Sequence, residues 1–296
     1  MVSGTLQAPR YQRKHKMITD LFCPIPSKKD AGQFKLSNEK VNFFRQNGYL
    51  PNNKILNQAQ LDQLRTSLED IVHGRNPFKS DLVGNAVIEP DKGFAYFQGA
   101  WYIDKFFHDL VFHPAITVPI TQLLGTEKVR FWHDQIFYKP ANIGKGVSWH
   151  QDYSYWQRTR PAKHITLWLG LDDATAENGC LEVIPESHKW GLLPTVGLVS
   201  NELDNLKEHL TSEQLENFKP VKIEMKAGFG SFHHDHTVHG SQPNKSLCSR
   251  RGIVLNYMAY DVVSADGSKP IMPCYPLIPE GQMIEGEPWP IVLDLS

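Results

Sequence analysis

The sequence predicts a mainly β chain with flanking helices (α+β), built as one sandwich or barrel. Three observations predict it. Short runs rich in β-branched and aromatic residues recur after Gly125, separated by Gly, Pro and Asn. Helical periodicity concentrates in the segment before Gly125. No regular strand–helix–strand alternation points to a doubly wound sheet. A length of 296 residues suits one all-β unit. An apolar content of 41% leaves ample material for a core and excludes a disordered chain.

The elements follow in order. Residues 1–36 are polar with scattered prolines and read as an N-terminal arm, whose basic run "RYQRKHK" (Arg10–Lys16) reads as a solvated tail. Residues 37–296 read as one domain. Ser37 is placed to cap a helix over "NEKVNFFRQNG", which Gly48 closes. Leu61, Leu64, Leu68 and Ile71 recur at helical spacing. "HDLVFHPAITVPITQLLG" carries one or two short helices ending at Gly125. "KVRFWHDQIFYKP" then predicts a strand that stops at Pro140, and "HITLWLGLDDA" one from His164 to about Asp172. "GCLEVIP" is a short strand after a tight turn at Asn178–Gly179. "VKIEMKAGFGSFHH" gives two strands around Gly228–Gly230, and "RGIVLNYMAY" (Arg251–Tyr260) another. Residues 187–218 are polar and helix-like, and read as a lid-like insert.

Composition narrows the function classes. Lys plus Arg is 31 against 32 for Asp plus Glu, a formal charge of −1. That balance argues against a general nucleic-acid binder, which needs a basic surface. Cys23, Cys180, Cys248 and Cys274 form no CxxC pair, so neither a zinc ribbon nor a disulfide framework is expected, and a reducing compartment fits. No apolar run resembles a secretory signal or reaches the ~18 residues of a membrane span, and the "LDLS" end reads as neither a peroxisomal nor an ER-retention tail. The expectation is a soluble cytoplasmic protein without a membrane partner.

The chemistry-bearing stretch is "VSWHQDYSYW". Residues i and i+2 of a strand share a face, so His150 and Asp152 can address one metal. A third ligand is needed, and "SFHHDHTVHGSQPN" offers His233, His234, His236 and His239. Two histidines and one carboxylate on one face leave three positions open, an arrangement suited to non-haem Fe(II) with a bidentate co-substrate and dioxygen. HxD is common by chance, so other readings stay open. A zinc site drawn from residues 233–239 alone is one, and plain loop histidines at 233, 234 and 236 another. Arg250, 11 residues after His239, could grip a dicarboxylate by a two-pronged hydrogen bond, and Ser241 would face the same way as His239. Taken alone, Arg250 or Arg251 reads as a surface cation.

Three blocks in order now carry a resemblance: "WHQD" (Trp149–Asp152), "ITLWLGLDDATAENGCLEVIPESHKWG" (Ile165–Gly191) and "HGSQPNKSLCSRRGIVLNY" (His239–Tyr257). Together they resemble the phytanoyl-CoA dioxygenase family of Fe(II)/2-oxoglutarate oxygenases, well over residues 125–260 and loosely before. The resemblance implies a double-stranded β-helix, a squashed jelly roll like that of cupins. It implies His150, Asp152 and His239 as catalytic iron ligands, and Arg250 on the distal carboxylate of 2-oxoglutarate with Ser241 assisting. It implies Gln135, Tyr138 and Thr166 as further co-substrate contacts. The expected reaction couples O2-dependent decarboxylation of 2-oxoglutarate, to succinate and CO2, with oxidation of an unactivated carbon. Related halogenases carry a small residue where this chain has Asp152, so hydroxylation, desaturation or cyclisation is expected rather than halogenation. Trp149, Tyr153, Tyr155 and Trp156 read either as core or as a substrate wall, because aromatics dominate both. Phe97, Trp101 and Tyr102 would close the pocket mouth. The partner would be a small molecule, as in secondary metabolism, met by a monomer or homodimer. Two other classes remain: an idle metal-binding jelly roll, and a zinc hydrolase using residues 233–239, although HExxH is absent.

Overall fold

The computed structural model describes residues 16–76, 87–89, 94–198, 203–272 and 275–296. Cys274 and most of the Arg10–Lys16 run lie outside them, as do residues 199–202 of the lid-like segment. Cys23, Cys180 and Cys248 are free thiols.

The first part of the domain holds α1 (Asn38–Asn47), β1 (Tyr49–Lys54), α2 (Gln58–Val72), β2 (Val87–Glu89), β3 (Phe94–Phe97), α3 (Ala100–Ile103), α4 (Lys105–Leu110) and α5 (Pro114–Leu124). Ser37 does cap α1, its hydroxyl accepting from Lys40 N, and Asn57 with Gln60 forms a capping box on α2. Gly48 ends α1 at φ 82°, where a Cβ would sit 2.4 Å from His188 Nδ1. Its carbonyl accepts from His234 N (2.8 Å) and Thr237 Oγ1 (2.7 Å), tying the helical layer to the loop before His239.

Strands dominate from there: β4 (Lys128–Lys139), β5 (Val147–His150), β6 (Thr159–Arg160), β7 (His164–Gly170), β8 (Leu181–Val183), β9 (Val221–Ile223), β10 (Phe229–His234), β11 (His239–Ser241), β12 (Arg250–Ala259), β13 (Val263–Ser264) and β14 (Ile291–Asp294). A short α6 (Ser212–Glu216) precedes β9. An eight-stranded antiparallel sheet runs β1-β10-β7-β12-β4-β3-β2, with β14 beside β4. A four-stranded sheet, β5-β11-β8-β9, faces it. These two sheets are the jelly-roll barrel.

Alternation gives the large sheet two different faces. Ile136, Ile165, Leu167, Leu169, Phe232, Ile253 and Leu255 point outward and join Leu64, Leu68, Leu110 and Ile116 of the helices in the main core. Each such side chain contributes about 1.5–3 kcal/mol on full burial. Their neighbours Gln135, Phe137, Thr166, Trp168, Arg250 and Val254 point inward and line a cavity of about 280 Å3 between the sheets. Along β4 and β12 the register skips one residue, pairing Asn256 with His133 and Tyr257 with Phe131. Trp132 is the extra residue of this bulge, and Trp132 and His133 both reach the cavity. The described residues of 187–218 pack through Leu193 and Leu206 on Trp149, Ile184 and Val238, on the outer side of β5. Among the described residues no helix is long and apolar enough to cross a membrane.

Candidate active site

β5 and β11 pair with His150 directly opposite His239, which brings the two imidazoles onto one face with ring centroids 4.2 Å apart. His150 Nδ1 lies 2.8 Å from Ser148 O and His239 Nδ1 2.9 Å from Thr237 O. A carbonyl only accepts, so each Nδ1 carries the proton and each Nε2 presents a lone pair. Asp152 arrives by a different route from the one the i, i+2 rule predicts. β5 stops at His150, and Asp152 opens a one-turn 3-10 helix, Asp152–Tyr155. The turn still swings its Oδ1 to 3.6 Å from His150 Nε2 and 3.7 Å from His239 Nε2. Two imidazole lone pairs and an anionic oxygen converge with no proton between the rings. That donor set fits a divalent cation and suits Fe(II).

The second carboxylate oxygen is held separately. Asp152 Oδ2 accepts from Thr166 Oγ1 at 2.6 Å and lies 3.2 Å from His233 Nε2. Thr166 also meets the Asn256 carboxamide at 2.8 Å, and Asn256 meets His133 Nδ1 at 3.2 Å. Thr166 has one hydroxyl proton, which the carboxylate takes. His133 Nδ1 faces Asp134 O at 3.3 Å and so carries its own proton. Both constraints are met when the Asn256 carboxamide turns its NH2 to Thr166 and its oxygen to His133. Burial, reinforced by His150 and His233, holds His239 well below the usual imidazole value, so it is neutral and able to ligate.

Arg250 is buried, its guanidinium 5.0 Å over the Trp168 ring, with Nη1 donating to Gly179 O at 2.6 Å and Nε without a partner. Burial lowers its pKa to about 10, still cationic at neutral pH. Ser241 also lines the cavity, and Lys139 Nζ donates to its Oγ at 2.7 Å. Gln135 lines the wall and donates to Tyr96 at 3.1 Å. Tyr138 has the opposite parity on β4; its hydroxyl meets Ser249 at 3.3 Å, away from the cavity lining.

Of the aromatics, Trp156 and Tyr155 line the cavity. Trp149 alternates with His150 and packs outward on Phe218, 5.1 Å between centroids. Tyr153 donates to Thr159 O and stacks on His236. Phe97 and Trp101 are consumed by the main core, with Tyr102. These four side chains of the expected wall and mouth, Trp149, Tyr153, Phe97 and Trp101, are therefore absent from the lining, because strand parity or helix packing turns them away. Tyr96, Gln98, Trp132, His133, Arg158 and Met272 stand there instead. The histidine run also divides. His233 points inward from β10, whereas His234 and His236 lie on the other side, both on Asp235 Oδ1 at 2.9 and 2.7 Å. His233, read as a loop histidine, is a strand residue in contact with Asp152. Period-2 counting back from Phe232 is the signal that finds it.

The sequence profile of the phytanoyl-CoA dioxygenase (PhyH) family matches residues 44–252, well over half of the chain. A probable phytanoyl-CoA dioxygenase of Caenorhabditis elegans is 27% identical over 245 residues, covering 77% of this chain and 77% of that protein. L-proline trans-4-hydroxylase of Streptomyces griseoviridis is 27% identical over 254 residues, covering 80% of this chain and 91% of the hydroxylase. The structure of SnoK, a non-haem α-ketoglutarate-dependent carbocyclase from nogalamycin biosynthesis, superposes with a TM-score of 0.69 at 21% identity, over 91% of this chain and 99% of that one, a likeness of fold. The chain thus belongs to the phytanoyl-CoA dioxygenase family, and it is a non-haem dioxygenase that uses Fe(II), 2-oxoglutarate and O2.

Proposed function

We propose that His150, Asp152 and His239 hold the iron, and that Arg250 with Ser241 receives the distal carboxylate of 2-oxoglutarate. The observation that carries this is the convergence of two Nε2 lone pairs and Asp152 Oδ1 in a cavity that Arg250 and Ser241 also line. Bound together, iron and 2-oxoglutarate supply the activation of O2, with succinate and CO2 as products.

The chain's own residues do the rest. Ser148 O and Thr237 O fix the tautomers of the two histidines. Thr166 and His233 keep Asp152 Oδ2 occupied, so that Oδ1 faces the imidazoles. Asp152 fills the third ligand position, which favours oxygenation, desaturation or cyclisation over halogenation. Trp132, Tyr155, Trp156 and Met272 form an apolar wall that can seat a small substrate and exclude water.

The test is an anaerobic titration of metal-free protein with Fe(II) and then 2-oxoglutarate, followed by the weak visible band of a chelated 2-oxo acid. A saturable band in the wild type, lost in His239→Ala, is the expected result. A band that survives in His239→Ala would place the iron elsewhere.

A further inference from the structure

Lys139 is unclaimed by everything above, yet it stands directly opposite Arg250 across the β4–β12 pair, so both side chains leave the same face of the sheet. It is completely buried. Its Nζ donates to Ser241 Oγ and to Gln242 O, each at 2.7 Å. Arg250 Nη1 donates to Gly179 O in the adjoining turn. Gly179, at φ 74°, leaves no room for more: a Cβ there would lie 2.1 Å from Gln242 O and 3.2 Å from Lys139 Nζ.

Two basic side chains thus sit side by side in the interior, anchored on neighbouring carbonyls. Among the described residues neither forms an ion pair. The groups acting on Lys139 are Arg250, Glu182 and the Cys180 thiol, and Asp172 near Arg250 is engaged by Arg251 at 2.7 Å. Burial first, and then Arg250, pushes the Lys139 ammonium well below its ordinary value. Buried, unneutralised cations are costly unless an anion joins them. A lysine wanted only to fill space would be replaceable by methionine.

We infer that Lys139 is a second cation of the pocket for the distal carboxylate of 2-oxoglutarate, acting through Ser241 as a positioning residue. An ammonium has donors only, and Lys139 occupies a lone pair of Ser241 Oγ. The serine's single proton is thereby left to point at the incoming carboxylate. Lys139 also adds a charge beside Arg250 that an uncharged 2-oxo acid tail would not feel. The inference rests on the placement of 2-oxoglutarate against Arg250 and Ser241.

The experiment compares two chelating 2-oxo acids on Fe(II)-loaded protein without oxygen: 2-oxoglutarate, and 2-oxobutyrate, which lacks the distal carboxylate. Dissociation constants are read from the visible band. Lys139→Met is expected to weaken 2-oxoglutarate about 10–100-fold and to leave 2-oxobutyrate within about threefold. Equal weakening of both acids would mean a structural role, and no change in either would mean none; both results overturn the inference. If Lys139→Met does not fold, Lys139→Gln decides, because it removes the charge behind Ser241 while leaving Ser241 and Arg250 in place. A lower preference for 2-oxoglutarate supports the inference, and an unchanged preference overturns it. Arg250→Ala is the control for the underlying placement. If it leaves the preference intact, the placement itself fails; if it abolishes the preference while Lys139→Met does not, only the role of Lys139 falls.

Discussion

The two faces of the eight-stranded sheet are built from the same strands and do opposite things. Outward, β7 presents Ile165, Leu167 and Leu169 to the helices, and β12 presents Ile253 and Leu255. Inward, the same strands present Thr166, Trp168, Arg250 and Val254 to the cavity. The outer face is tolerant in detail and demanding in volume, because dispersion and burial carry it. The inner face is poor in close-packed aliphatics and rich in polar groups with assigned partners, such as the Asp152–Thr166–Asn256–His133 chain. Alternation alone separates stability from chemistry by one residue along the strand.

Adjacent substitutions in β7 and β12 break the comparison most sharply. Leu167→Ala is expected to cost about 2–5 kcal/mol of folding stability, read from denaturant unfolding, while the remaining folded protein binds Fe(II) with unchanged affinity. A shifted iron affinity would show that the faces are coupled. Acid supplies the next contrast. His113, buried beside Ile55 O in the helical layer, has its pKa lowered to about 4, chiefly by burial. Its neutral form is favoured by folding, so its stabilising contribution is fully present above about pH 6.5 and is lost as pH falls through about 4. That loss is on the order of 3 kcal/mol. His113→Gln should flatten the stability–pH curve in this window, and an unaltered slope would assign it to other groups. On the inner face, Arg250→Ala should leave iron binding nearly intact and weaken 2-oxoglutarate by about 1.5–3 kcal/mol, measured by calorimetry on the metal-loaded protein. Equal losses of metal and co-substrate would point to collapse of the cavity instead. The smallest change expected is for His233→Phe, which keeps the ring volume but releases Asp152 Oδ2. Iron affinity should fall about 10–100-fold at near-wild-type melting temperature, and an unchanged affinity would show that Thr166 suffices.

Legibility tracked locality. Most strands of the domain's second half were readable because their residue types and turn signals are local: β4 ends before Pro140 as expected, and α1 runs from its Ser37 cap to Gly48. The expected Arg251–Tyr260 strand begins one residue earlier, which puts Arg250 itself into β12. β1, in "YLPNNK", had no alternation to reveal it; it is held by pairing with β10. The substrate wall was least readable. Trp149 and Trp156 look alike in sequence, but one follows strand parity outward and the other follows a 3-10 turn inward.

By itself the sequence determined that this is a mainly β chain with an HxD, a later histidine and an arginine in register with one family of oxygenases. Those features lie within single strands or turns, where side-chain type and spacing are sufficient. Only the tertiary structure decided that His233 holds Asp152, 81 residues away, and that Lys139 donates to Ser241, 102 residues away. Such pairs depend on sheet register and on which face each strand turns inward, and register is fixed when the whole outer face is buried, not by the residues that meet inside.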